Sequence, residues 1–123
     1  MKNQAYRMAM LFDFYGDLLT DRQKEFYDLY YNEDLSLAEI AENYGISRQG
    51  VRDVIVRAEA AMTEIEDKTH IIRRYFQTRK QIDAIDQAAD RLLQMVNEGS
   101  YRDEALDEIG HIIKENTAKL KQE

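Results

Sequence analysis

The stretch SLAEIAENYGISRQGVRDVIVRAEAAM, Ser36 to Met62, carries two helical patterns on either side of a single glycine. In the first pattern Leu37, Ile40, Ala41 and Tyr44 recur at the spacing that places them on one helix face. Gly45 then ends the helix, because glycine enters the left-handed conformation of a helix stop without steric cost. Ile46 plugs the corner, and Ser47 suits the next N-cap, where its hydroxyl accepts from a free backbone N–H. The second helix repeats the apolar pattern with Val51, Val54, Ile55, Ala58 and Met62. Ala41 stands where the helices cross, a place that demands a small side chain. Together these features predict a helix-turn-helix.

What such a unit does depends on the residues left pointing outward. At the start of the second helix these are Ser47, Arg48, Gln49, Arg52 and Asp53. In DNA-binding proteins of this geometry, that end of the second helix reaches base edges in the major groove. Arginine pairs with guanine and glutamine with adenine, each good bidentate pair giving about 1–3 kcal/mol of discrimination. Arg57 further along, and Arg22 at the start of the preceding helix, stand ready for phosphates.

Charge argues the other way. The chain of 123 residues has a net charge of −7. From Thr20 to Asp67 five basic residues face twelve acidic ones. Duplex binding draws most of its non-specific strength from phosphate neutralisation, so such a chain is repelled at long range unless its cations cluster. Arg48, Arg52 and Arg57 are expected to form a positive strip along one side of the helix. Gly50, inside that helix, either allows close backbone approach or is simply tolerated at a cost of about 1 kcal/mol.

The remaining composition points to a small all-α protein. There is no proline, five glycines, and one third of the residues are charged. No cysteine is available for a disulfide, a thiolate metal site or a nucleophile. No run approaches the roughly 20 apolar residues of a membrane span. Asp13 and Asp17 interrupt the apolar N-terminal segment, so the expectation is a leaderless cytoplasmic protein.

Ahead of the motif, a first helix is expected from about residue 4 to 19. Tyr6, Met10, Phe14 and Leu18 form its apolar stripe, with Leu11 and Tyr15 beside them. Thr20 and Gln23 stand at capping-box spacing and open a second helix to about Tyr31 that buries Phe26, Leu29 and Tyr30. Asn32 to Asp34 turn the chain and Leu35 plugs the turn. The aromatic residues of this region fit packing rather than base stacking.

With these residues in view, a resemblance emerges. The segment LTDRQKEFYDLYYNEDLSLAEIAENYGISRQGVRDVI, Leu19 to Ile55, is similar to the promoter-reading helix-turn-helix of bacterial sigma factors. The whole chain resembles the YlxM family of small bacterial helix-turn-helix proteins. That resemblance implies a cytoplasmic regulator whose genes neighbour those of the signal recognition particle. Sigma factors continue into a basic tail here, whereas this chain continues as AEAAMTEIEDK, with Glu59, Glu64, Glu66 and Asp67.

Past Lys68 the pattern becomes a heptad seam of Ile71, Tyr75, Thr78, Ile82, Ile85, Ala89, Leu92 and Val96. A basic patch, Arg73, Arg74, Arg79 and Lys80, lies at its start. The helix breaks near Gly99, and a last helix from about Asp103 presents Leu106, Ile109, Ile113 and Leu120. These two helices are expected to form a long-helix antiparallel hairpin. The domain expectation is therefore residues 1–67 for the sigma-factor-like helix-turn-helix unit and 68–123 for the hairpin. The seam is longer than its partner helix covers, so its surplus apolar face is expected to lie against the first domain or a second copy of the chain, with a homodimer favoured.

Candidate chemistry is sparse. His70 and His111 are far apart, and Asp107 and His111 share no more than an i,i+4 relation. Carboxylate pairs such as Glu64 and Asp67 arise by chance in a chain with 24 acids. No phosphate loop or nucleophile elbow is present. The expectation is a binding protein with no enzymatic activity, cofactor or metal. Its partner is double-stranded DNA or, alternatively, the proteins or RNA of the signal recognition particle.

Overall fold

The computed structural model describes residues 4–122. Among them the chain is all-α, in six α-helices and one 3-10 turn. The order is α1 (Ala5–Tyr15), the 3-10 turn (Gly16–Leu18), α2 (Asp21–Tyr31), α3 (Leu37–Tyr44), α4 (Arg48–Thr69), α5 (Ile71–Glu98) and α6 (Asp103–Lys121). The chain divides into two compact units, Met1–Ile72 and Arg73–Glu123.

Local signals start α2, α3 and α4 of the first unit. Thr20 Oγ1 accepts from the Gln23 N–H at 3.2 Å while the Gln23 side chain accepts from the Thr20 N–H at 3.0 Å. Ser36 and Glu39 form a second reciprocal box, at 3.1 and 3.2 Å, which opens α3. Each satisfies two backbone donors that a helix start leaves unpaired.

The core is a cluster to which α1, α2, α3 and α4 all contribute. Met8, Leu11, Tyr15, Phe26, Tyr27, Tyr30, Ile40, Ala41, Val51, Ile55, Ala58 and Met62 are buried in it. Leu35 packs against the cluster from the α2–α3 turn, as its position in the sequence suggested. Tyr27 is fully buried, and its hydroxyl donates to the Met8 carbonyl at 2.6 Å. This pairing admits a polar tip to an apolar core without an unsatisfied group.

The first helix departs from its expected course. It ends at Tyr15, and Gly16–Leu18 tighten into the 3-10 turn. Of the expected stripe, Tyr6 is 80% and Leu18 70% exposed, while Met8, Leu11 and Tyr15 face the core. Four residues advance a helix by about 400°, so an every-four stripe slips about 40° per step. Alternating steps of three and four hold the face, and Met8, Leu11 and Tyr15 follow them.

Within the second unit, α5 and α6 form a hairpin around Gly99, whose φ of +67° turns the chain. Ala88 of α5 and Ala105 and Ile109 of α6 are the buried residues of its core. Arg91 and Glu108 join the helices at 3.5 Å. The small residues Ala88 and Ala105 take positions that a reading for large apolar side chains overlooks. Much of the heptad seam is open: Tyr75 is 47%, Ile82 41% and Val96 50% exposed.

Candidate nucleic-acid interface

The turn between α3 and α4 sets the direction of everything that follows it. Gly45 adopts φ +66°, ψ 33°, and the next residue, Ile46, donates its N–H to the Ala41 carbonyl at 3.1 Å. Ser47 then caps α4, its Oγ accepting from the Gly50 N–H at 3.0 Å. A Cβ on Gly50 would lie 3.2 Å from that same hydroxyl oxygen. Gly50 therefore makes room for the cap, a role internal to the turn.

Val51, Ile55, Ala58 and Met62 anchor α4 in the core, so the opposite face is committed to solvent. Arg48, Gln49, Arg52, Asp53 and Arg57 are all exposed. Among the described residues no acid lies within ion-pair distance of Arg48, Arg52 or Arg57. Gln49 is already engaged, since its Nε2 donates to Asp53 Oδ1 at 2.8 Å.

The arginines do not share one strip. At about 100° per residue, Arg48 and Arg52 lie about 40° apart, while Arg57 is about 140° from Arg52. Gln49, Asp53 and Val56 fill the arc between them. The face of α4 thus has two cationic borders and a mixed centre. Arg48 also lines a shallow cleft with Tyr30, Ser36, Leu37 and Ala38.

Arg22 is exposed in the first turn of α2, its guanidinium 5.4 Å from the centroid of the Phe26 ring. That placement holds the cation against the aromatic face. Nearby, the Tyr44 hydroxyl donates to Glu25, which pushes the phenol pKa up, and the charge of Arg22 opposes that rise.

Several acids that weigh against a duplex are used by the fold. Glu59 accepts from the Tyr31 hydroxyl. Glu66 accepts from the Tyr15 hydroxyl at 2.6 Å and from the Ile72 N–H at 2.9 Å, fastening the end of α4 to the start of α5. Burial first, and then these carboxylates, raise the pKa of Tyr15 and Tyr31. These acids remain charges, yet their positions follow from packing. No local signal marks them, because the partners are far apart in sequence.

The other candidates disperse. His70 is exposed and caps α4 in the left-handed conformation, with φ +55°. His111 lies 3.3 Å from Asp107 on an exposed helix surface. Arg73, Arg74, Arg79 and Lys80 are exposed on α5, in the second unit. Among the described residues no helix is long and apolar enough to cross a membrane.

Comparison with known proteins agrees with this geometry. A UPF0122 protein of Symbiobacterium thermophilum is 47% identical over 85 residues, covering 69% of this chain and 79% of its own. One from Desulforamulus reducens is 46% identical over 79 residues, 64% of this chain and 68% of its own. Another, from Lacticaseibacillus casei, is 40% identical over 114 residues, 93% of this chain and 95% of its own. The model of the family described as "Putative helix-turn-helix protein, YlxM / p13 like" matches residues 2–100. A turn built on Gly45 and Ser47, inside a chain matched over most of its length, makes this protein a member of the UPF0122 (YlxM) helix-turn-helix family.

Proposed function

We propose that this chain is a cytoplasmic regulator that binds double-stranded DNA through the first two turns of α4. One observation carries the reading: Arg48 and Arg52 are exposed on a helix fixed by the core, with no acid in ion-pair range among the described residues. In this reading Arg48 and Arg52 take guanine edges, and Gln49 reads adenine. Asp53 accepts from the amino group of cytosine. Ser47, Arg57 and Arg22 face the backbone on either side. The net charge of −7 keeps non-specific affinity low, so binding depends on the base contacts, and its salt dependence is set by the few phosphates that Arg57 and Arg22 neutralise.

The test is selection from a random duplex pool followed by titration of the enriched sequence. Arg52→Ala relaxes preference at one base position, at a cost of about 1–3 kcal/mol. Arg57→Ala weakens all duplexes alike and reduces the salt slope by about one. If no sequence is enriched, the reading fails. The other reading, contact with the proteins or RNA of the signal recognition particle, draws support from Arg79 and Lys80, exposed on α5. Arg52→Ala leaves such a contact intact.

A further inference from the structure

The second unit leaves an apolar face of α5 uncovered, and its spacing says what fits it. Tyr75, Ile82, Ala89 and Val96 stand seven residues apart, and so do Thr78, Ile85 and Leu92. A strict seven-residue period is the signature of a helix that winds against another helix of the same period. The hairpin partner borders this seam on one flank only. Packing in the second unit centres on Ala88 with Ala105 and Ile109. Ala88 lies about 40° around α5 from Leu92 and about 100° from Ala89, so the row of Tyr75, Ile82, Ala89 and Val96 is turned away from it. Tyr75, Ile82, Leu92, Leu93 and Val96 remain at least 36% exposed. In a chain rich in charge, such a row over more than 20 residues of one helix is a contact surface in waiting.

We propose that this seam pairs with α5 of a second copy of the chain, antiparallel, with its two-fold axis between Asp83 and Ala84. The register follows from the two rows. With the axis there, Tyr75 meets the second copy's Leu92, Ile82 meets Ile85, and Ala89 meets Thr78, so each layer joins one residue from each row.

Charge selects this arrangement over the alternatives. Arg79 and Asp86 flank the seam on the side away from Ala88. In the antiparallel register Arg79 of each copy falls beside Asp86 of the other, giving two equivalent ion pairs. Sliding the pairing by one heptad in one direction sets Arg79 against Arg79; in the other direction it sets Asp86 against Asp86. A parallel pairing brings Arg74 of one copy to Arg79 of the other, on both sides of the axis. Like charges at these flanking positions destabilise a helix pair, and opposite ones fix its partner and direction. Of the arrangements that keep the seam in contact, the antiparallel register is the one that joins opposite charges. It requires no DNA, so it stands or falls separately from the duplex reading.

The test uses the full-length chain. Sedimentation equilibrium should give twice the 14.5 kDa chain mass at micromolar concentration. Ile82→Glu, at a position already 41% exposed in the single chain, should give a monomer with unchanged helical circular dichroism. Arg79→Glu alone and Asp86→Arg alone should each weaken dimerisation by about tenfold, on the scale of two exposed ion pairs. The double variant should restore it, which a merely structural role at either position would not do. Because the chain has no cysteine, direction can be read by oxidation. A mixture of Tyr75→Cys and Leu92→Cys chains should give the mixed disulfide in excess of either homodisulfide. A monomeric wild type, a predominant Tyr75→Cys homodisulfide, or a charge swap without rescue would each overturn the proposal.

Discussion

The two units of this chain solve the burial problem in opposite ways. Among the described residues the first unit buries twelve core side chains, seven of them aromatic or β-branched, brought together from α1, α2, α3 and α4. The second buries Ala88, Ala105 and Ile109, while larger apolar groups such as Leu93 and Tyr101 stand 65% and 61% exposed. A helix bundle with several crossing directions closes around its own core. A hairpin of two rods leaves each rod an open flank. The first arrangement gives a fixed platform for α4, and the second gives a surface.

Breaking the first core should have the largest effect. Phe26 is fully buried and packs edge-on to Tyr44 with ring centroids 4.8 Å apart. Phe26→Ala should cost about 3–5 kcal/mol, seen as a shift of the urea midpoint of the first unit. An equal shift in a probe confined to α6 would instead mean that both units melt as one.

Raising the pH should separate the units next. Burial pushes the phenol pKa values of Tyr15, Tyr27 and Tyr31 above the 10.0 of the unfolded chain. The stability held by these neutral phenols is fully present below pH 10.0 and is lost as the pH rises through the folded values. Tyrosinate absorbance and loss of first-unit structure should therefore appear in one step on the alkaline side. The second unit buries no tyrosine among the described residues and should lag behind. If ionisation precedes any loss of structure, the phenols are less enclosed than their contacts imply.

The smallest effect belongs to the open flank. Leu93→Ala removes a side chain that is 65% exposed, and in dilute solution it should change stability by less than about 0.5 kcal/mol. A larger loss in dilute solution would show that the hairpin draws on that flank within one chain.

Much of this organisation could be read before any coordinates. Thr20 with Gln23, Gly45 and Ser47 are short-range signals that act within a few residues, and each has the role its chemistry implies. The α1 stripe was harder to place, because a four-residue step follows the helix for one turn and then drifts off its face. The candidate site was legible as a set of exposed residues and illegible as an arrangement. Gln49 and Asp53 are four apart, so their pairing follows helix geometry, but the two-bordered face depends on which side of α4 the core claims.

Sequence alone determined where α2, α3 and α4 start and where α3 stops, since caps, glycine conformations and apolar periodicity act between neighbours. It also determined family membership, through a pattern spanning most of the chain. Tertiary structure decided that Tyr27 is buried, that Glu59 and Glu66 bind phenols, and that Arg52 and Arg57 stand on opposite borders of one helix face. The tyrosine contacts join residues 19 to 51 positions apart, a separation at which no local rule operates and only close packing chooses partners.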